Sequence, residues 1–201
     1  EAAKPDGMTA ICGAFNTLIQ ILDDKALRVD LSKFNFISGI PDHQVFYVRT
    51  DVKPGMKKPE DIFVAEGLVL GGLRSNSSKD LLIRPALDLL GVKYKYVTGV
   101  SGDGAGRKHM QTGFLNAWEE GMGSYISVTQ GTLIDPGIAV PIFQMGGPDE
   151  SGKLAKRNAA IPNIPTFYEV YKAKFGKEPS GKVWDVYAMM AGQTAAASPS
   201  S

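Results

Sequence analysis

Apolar positions along this chain alternate between short extended runs and helical faces, and small or polar residues sit at each handover. Residues 8–14 read as a strand after the Pro5-Asp6-Gly7 turn. A helix then begins near Asn16 or Thr17, with Leu18, Ile19, Ile21 and Leu22 on one face. A turn at 30–33 leads to a strand at 34–40, and Pro41-Asp42 interrupts it before 44–49 resumes extended structure. The pattern next predicts a short helix at 60–66, a strand at 68–71, a helix at 77–90 and a strand at 94–97. Leu81, Leu82, Ala86, Leu87 and Leu90 supply the apolar face of the longer helix. A loop at 99–106, a short helix at 107–111 and a strand at 114–118 follow.

Beyond Glu120 the rhythm loosens. Residues 125–129 and 139–144 read as extended, with Asp135-Pro136-Gly137 as a turn, and 146–157 reads as an exposed loop. Residues 166–175 carry a helical face of Phe167, Val170, Tyr171 and Phe175, and 177–181 turns the chain. Residues 184–190 fit a strand or a helix equally, and the Ala-Ser-Pro tail from Ala195 has nothing to pack. Strands alternating with helices at these spacings predict an α/β fold with a parallel sheet.

Composition narrows the function classes. The 201 residues suffice for one large domain or two small ones. With 22 basic and 21 acidic residues the net charge is +1, which argues against a nucleic-acid partner. The basic run at 153–157 is short and reads as a solvated surface. No apolar run reaches the ~18 residues of a membrane span, and the first residues show no signal-peptide pattern. The single cysteine, Cys12, rules out an intrachain disulfide and lies in an apolar run that suits a buried thiol. Histidine occurs only at positions 43 and 109. Without HExxH, paired CxxC, a P-loop or GxSxG, neither a metal, a cofactor nor a catalytic centre is expected.

The chemistry that remains is anion binding. In Gly71-Gly72-Leu73-Arg74-Ser75-Asn76-Ser77-Ser78 a strand hands over to a helix N-terminus through glycines, hydroxyls and an amide. Such a junction exposes backbone N–H groups suited to a carboxylate. Arg74 either grips a carboxylate or points to solvent. Phe15-Asn16-Thr17 repeats the theme, as anion donors or as a plain helix cap. The glycine-rich string from Gly99 to Gly106 fits a dinucleotide fingerprint only by placing Arg107 where its last glycine belongs. It reads better as a loop whose N–H groups, Gly102 included, face a ligand. Trp118 is expected in the core or a hinge, or stacked on a ligand. Glu119 and Glu120 are expected either to accept from a ligand's ammonium or hydroxyl or to start a helix.

Taken in order, these segments resemble a known family. Lys4-Pro5-Asp6-Gly7-Met8-Thr9, the strand ending at Phe15-Asn16-Thr17, and Asp30-Leu31-Ser32-Lys33-Phe34 are similar to the opening motifs of the substrate-binding proteins of tripartite tricarboxylate transporters, the TctC-like or Bug receptors. Val45 to Val48 is similar to the first strand of the family's second lobe, and residues 71–78 to its binding loop. Residues 98–113 resemble its next loop and helix, and Pro162-Asn163-Ile164-Pro165-Thr166, with Glu169, a later motif. The likeness covers nearly the whole chain and points to a divergent branch. Leu73-Arg74 departs from the Gly, Asn and Ser usual in the binding loop, and the family extends further at both ends.

The resemblance implies a periplasmic-binding-protein-like α/β fold of two lobes joined by crossing strands, with the first lobe incomplete in this chain. Residues 1–43 and 126–194 would form the first lobe, 44–125 the second, and 195–201 a flexible tail. It implies non-catalytic capture of a small organic carboxylate in the periplasm, delivery to a membrane permease, and export on a signal peptide. It places ligand contacts at Phe15, Asn16, Thr17, Arg74, Ser75, Asn76, Ser77, Ser78, Gly102, Trp118 and Glu119. The alternative from a different class is an accessory subunit that uses this scaffold to dock on a larger membrane complex. An α/β enzyme would need an acid, base or nucleophile pair that the sequence does not offer.

Overall fold

The computed structural model describes residues 43–148 and 154–195, with isolated positions at 25, 28, 30, 35 and 37. The chain divides into two compact units, Glu1–Asn35 and Phe36–Ser201, and the described elements belong to the second. The expected strand at 8–14, the helix at Asn16 or Thr17 and the tail beyond Ala195 lie outside the described residues.

Among the described residues a five-stranded sheet forms the centre. Its strands are β1 (Gln44–Arg49), β2 (Leu68–Gly71), β3 (Tyr94–Val97), β4 (Ala117–Gly121) and β5 (Ala139–Gln144), in the spatial order β3-β2-β4-β1-β5. β2 runs parallel to β3 and β4, whereas β1 runs antiparallel to both β4 and β5. The sheet is therefore mixed rather than parallel. Helical crossovers link β2 to β3 and β3 to β4, through α1 (Ser78–Leu89) and α2 (Asp103–Thr112), and a π-helical stretch links β4 to β5. A 3₁₀ turn spans Pro59–Val64. The chain ends in α3 (Phe167–Phe175) and α4 (Lys182–Ala195), so the ambiguous segment at 184–190 is helical.

Both sheet faces are packed. Val45, Tyr47 and Trp118 join Met110, Leu115, Tyr125 and Leu133 in one cluster. On the other face Phe46 meets Phe143 (ring centroids 5.1 Å apart), and Phe167 links Phe143 (5.6 Å) to Tyr187 (4.5 Å). Thr166 caps α3 by accepting from the Glu169 amide, while Glu169 accepts from the Thr166 amide at 2.7 Å. This reciprocal pair starts the helix that the sequence places at 166–175.

Four elements differ from the sequence expectation. The helix expected at 107–111 starts at Asp103, and the strand expected at 114–118 lies at Ala117–Gly121. Gly113, with φ of 75°, ends α2. Asn116 then enters the sheet: its Oδ1 accepts from the Val69 amide at 2.6 Å and its Nδ2 donates to the Gly67 carbonyl at 2.9 Å. Residues 125–129, expected to be extended, belong to a π-helix, Tyr125–Ile134, whose buried positions are Tyr125, Thr129 and Leu133. The loop expected at 146–157 contains two short antiparallel strands, β6 (Gly147–Pro148) and β7 (Leu154–Lys156).

Candidate functional site

The two parallel junctions on the sheet, β2 to α1 and β3 to α2, bring the glycine-rich loops side by side. Gly72 donates to the Val97 carbonyl (2.8 Å), Gly99 to Leu73 (3.1 Å) and Val100 to Gly72 (3.1 Å). The Thr98 hydroxyl adds a bond to the Leu73 carbonyl (3.2 Å). These ties place both loops at the carboxyl ends of β2 and β3, the edge where open α/β sheets bind ligands.

The first junction is filled from within. Ser77 is the N-cap of α1, its hydroxyl accepting from the Asp80 amide at 3.3 Å. The Asp80 carboxylate is fully buried. Oδ2 accepts from the amides of Leu73 (3.1 Å) and Arg74 (3.2 Å) and from the Ser77 hydroxyl, and Oδ1 accepts from the Tyr96 hydroxyl (2.9 Å). A Cβ on Gly72 would stand 1.9 Å from Asp80 Oδ1, so only glycine lets the backbone pass so close. Of the donors expected to face a ligand, the Ser77 hydroxyl and the amides of Leu73 and Arg74 are turned onto the chain's own Asp80.

What remains open is the tip. Ser77 donates its amide to the Arg74 carbonyl at 2.9 Å, which folds Ser75 and Asn76 into the corner of a turn. Arg74, Ser75 and Asn76 are exposed, and Ser78 is half-buried. The second junction is differently made. Gly102 precedes α2 with φ of 103° and offers no side-chain cap to the first turn.

Lys79, in the first turn of α1, reaches between the junctions. Its Nζ lies 3.2 Å above the Trp118 ring centroid and 3.7 Å from Asp103 Oδ1. Burial pushes its ammonium below the ordinary lysine range, against the pull of Glu119, Asp103, Asp80 and Glu120. Trp118 is fully buried, and α2 reaches it closely: a Cβ on Gly106 would stand 2.2 Å from the indole.

Glu119 and Glu120 lie inside β4 rather than after it, both fully buried and on opposite faces. Glu120 ion-pairs with Arg107 of α2 at 2.6 Å and accepts from the Thr129 hydroxyl of the π-helix. Burial still raises its carboxyl above the usual range, because desolvation outweighs the Thr129 and Arg107 contributions. Tyr125, beside this network, has its hydroxyl pushed up to about 12, by burial first and then by Asp135 and Glu120.

The structure thus gathers Arg74, Ser75, Asn76, Ser77, Ser78 and Gly102 on two neighbouring loops, and turns Ser77, Trp118 and Glu119 inward. Phe15, Asn16 and Thr17 lie outside the described residues. Lys79, Asp80, Arg107 and Thr129 escaped the sequence reading. One signal was present: Ser77 and Asp80 have the spacing of a capping box, here widened so that the acid reaches back to Leu73 and Arg74. Among the described residues no group of three or more His, Cys, Asp or Glu side chains is placed to hold a metal, and no helix is long and apolar enough to cross a membrane.

No protein-family profile matches the chain. No curated protein matches it either. Solved structures do. One described as a periplasmic transporter aligns over 80% of this chain and 52% of its own length, at 17% identity and a TM-score of 0.51. A TctC solute-binding protein from Polaromonas aligns over 82% and 58%, at 14% identity and a TM-score of 0.47. MatC from Rhodopseudomonas palustris, with bound malate, aligns over 76% and 51%, at 14% identity and a TM-score of 0.47. The chain spans just over half the length of each. The first of these likenesses gives the architecture: an α/β fold with a mixed sheet, of the periplasmic-binding-protein kind.

Proposed function

We propose that the chain is a periplasmic solute-binding protein of the TctC-like, or Bug, type. It captures a small organic carboxylate without catalysis and delivers it to the permease of a tripartite tricarboxylate-type transporter. The observation that carries this reading is the exposed turn Arg74-Ser75-Asn76 set beside the loop before α2 at one sheet edge, in a fold shared with a periplasmic transporter. The ordered resemblance of the sequence to the receptor family supports it independently. Arg74, Ser75, Asn76, Ser78 and Gly102 contact the solute in this reading. Ser77 and Trp118 hold those loops from behind, and Phe15, Asn16 and Thr17 are the further donors of this reading. Such a site works with hydrogen bonds and one guanidinium and asks for no metal or cofactor.

Native mass spectrometry of the protein from its source, followed by calorimetric titration with mono- and dicarboxylates, tests this. A co-purifying or titratable acid supports the receptor. A chain that binds no acid and travels with a larger membrane complex favours the accessory subunit. That second reading has one observation behind it: Val183, Val186 and Met189 form an exposed apolar stripe along α4, between 42% and 45% exposed.

A further inference from the structure

The junction between β2 and α1 has the parts of an anion site: two consecutive backbone amides, a serine hydroxyl, a tyrosine hydroxyl and a helix N-terminus. All of them converge on Asp80. Its hydrogen-bond partners among the described residues are neutral groups, unlike those of Glu120, which has Arg107. A buried carboxylate held by four neutral donors and a helix dipole is an anion bound as a ligand would be, tethered through its own Cβ. The glycine at position 72 completes the fit, since its missing side chain leaves the space that Oδ1 and the Tyr96 ring occupy.

We infer that Asp80 is an internal stand-in for a ligand carboxylate, which shapes the loop from residue 72 to residue 77 and confines a solute to its rim at Arg74, Ser75 and Asn76. Asp80 is in this sense a positioning residue. It fixes where the amides of Leu73 and Arg74 point before any solute arrives, and it closes the helix N-terminus to a second anion by occupancy and by charge. The rim part of this inference rests on the receptor reading above; the occupancy of the helix N-terminus does not. The consequence for specificity is that a carboxylate is met by the Arg74 guanidinium and the turn Ser75-Asn76, rather than by the N-terminus of α1.

The test is amide-resolved NMR of the full 201-residue chain, titrated with formate against ionic-strength-matched sodium chloride. In Asp80→Ala the vacated position accepts formate. The Leu73 and Arg74 amide signals then shift to saturation, and the melting temperature rises with formate more than with chloride. In the wild type the same two amides stay still. Two results overturn the inference: formate shifts of equal size in the wild type, or a folded Asp80→Ala variant whose Leu73 and Arg74 amides ignore formate. If Asp80→Ala does not fold, Asp80→Asn keeps the shape with weaker acceptors. Hydrogen exchange at Leu73 and Arg74 is then expected to speed up roughly tenfold while Ile83 and Leu87 keep their protection. Unchanged exchange at the two loop amides overturns the inference there. A wild type that binds no acid from the titration panel sinks the receptor reading and leaves Asp80's role standing, because the formate experiment needs no solute.

Discussion

The two strand-to-helix junctions at the carboxyl edge of the sheet start from the same material and end differently. Each leaves a parallel strand, passes through glycine and opens a helix. At α1 the serine cap and Asp80 consume the free donors, and only the turn at Ser75-Asn76 faces outward. At α2 the cap is Gly102, without a side chain to lend, and the acid of its first turn, Asp103, looks sideways to Lys79. One junction is a finished piece of core; the other keeps its backbone available. A glycine-rich loop before a helix therefore does not announce a ligand site by itself. The question is whether an acid within reach has already claimed the donors.

Substitutions can break this contrast, and the largest effects are expected at the filled junction, at Gly72 and Asp80. Gly72→Ala places a methyl into Asp80 and Tyr96 and should cost about 3 kcal/mol in urea unfolding. Gly102→Ala meets nothing within 4 Å and should cost only the strain of φ at 103°, about 1–2 kcal/mol. Equal losses would erase the distinction between a packed junction and an open one. The acids come next. Asp80→Ala leaves four donors without their acceptor and should cost about 3 kcal/mol. Asp103→Ala removes a first-turn acid at a partly exposed site, and should cost about 0.5 kcal/mol in the same assay.

The pH dependence sharpens the picture with opposite signs. The Glu120 carboxyl titrates above its unfolded value, so the folded protein holds that proton more tightly. Its contribution favours the fold in acid and declines as pH climbs from the ordinary carboxylate range through the raised one. Glu120→Gln should flatten that decline in stability measured against pH. Glu169 is the mirror case. Burial pushes it up, but hydrogen bonds from Arg157 and from the Thr166 amide outweigh burial and bring it below its usual range. Its contribution is present above the ordinary carboxylate range and fades as pH falls through the lowered one. Glu169→Gln should therefore remove a loss of stability on the acid side. The smallest effect on stability is expected from Ser75→Ala with Asn76→Ala. The exposed pair should alter unfolding by under about 0.5 kcal/mol, yet weaken carboxylate binding by roughly 1–3 kcal/mol in calorimetry if it forms the rim contact.

Much of the fold was legible because its punctuation is local. The strands at 68–71 and 94–97 end at glycine or threonine, and the helix from Ser78 follows a serine cap, so propensity and packing agree there. The start of α2 was hidden because Gly102, Gly104 and Gly106 read as a loop. The missing Cβ of Gly106 is what admits the helix against Trp118, a fact that only the packed structure supplies. The π-helix was hidden by Tyr-Ile-Ser-Val-Thr, whose β-branched residues suit a strand. The exposed turn Arg74-Ser75-Asn76 was readable from serine, asparagine and arginine beside glycine, whereas Glu120 needed Arg107 and Thr129 from two other elements before its place could be known.

The order of strands carries a consequence for how this protein comes to be folded. Among the described residues β1 is the first strand of the sheet, yet it ends between β4 and β5: Val45 pairs with Glu120 on one side and with Gln144 on the other. Neither partner exists until most of the unit has been synthesised, and both pairings close long loops before they return any stability. A nascent chain therefore carries Val45, Phe46, Tyr47 and Val48, all wholly buried in the finished protein, as an unpaired apolar ribbon. This topology predicts a delay between synthesis and folding. Holdase chaperones would find their target in that strand, and any step that needs the polypeptide still unfolded has its opportunity during that interval.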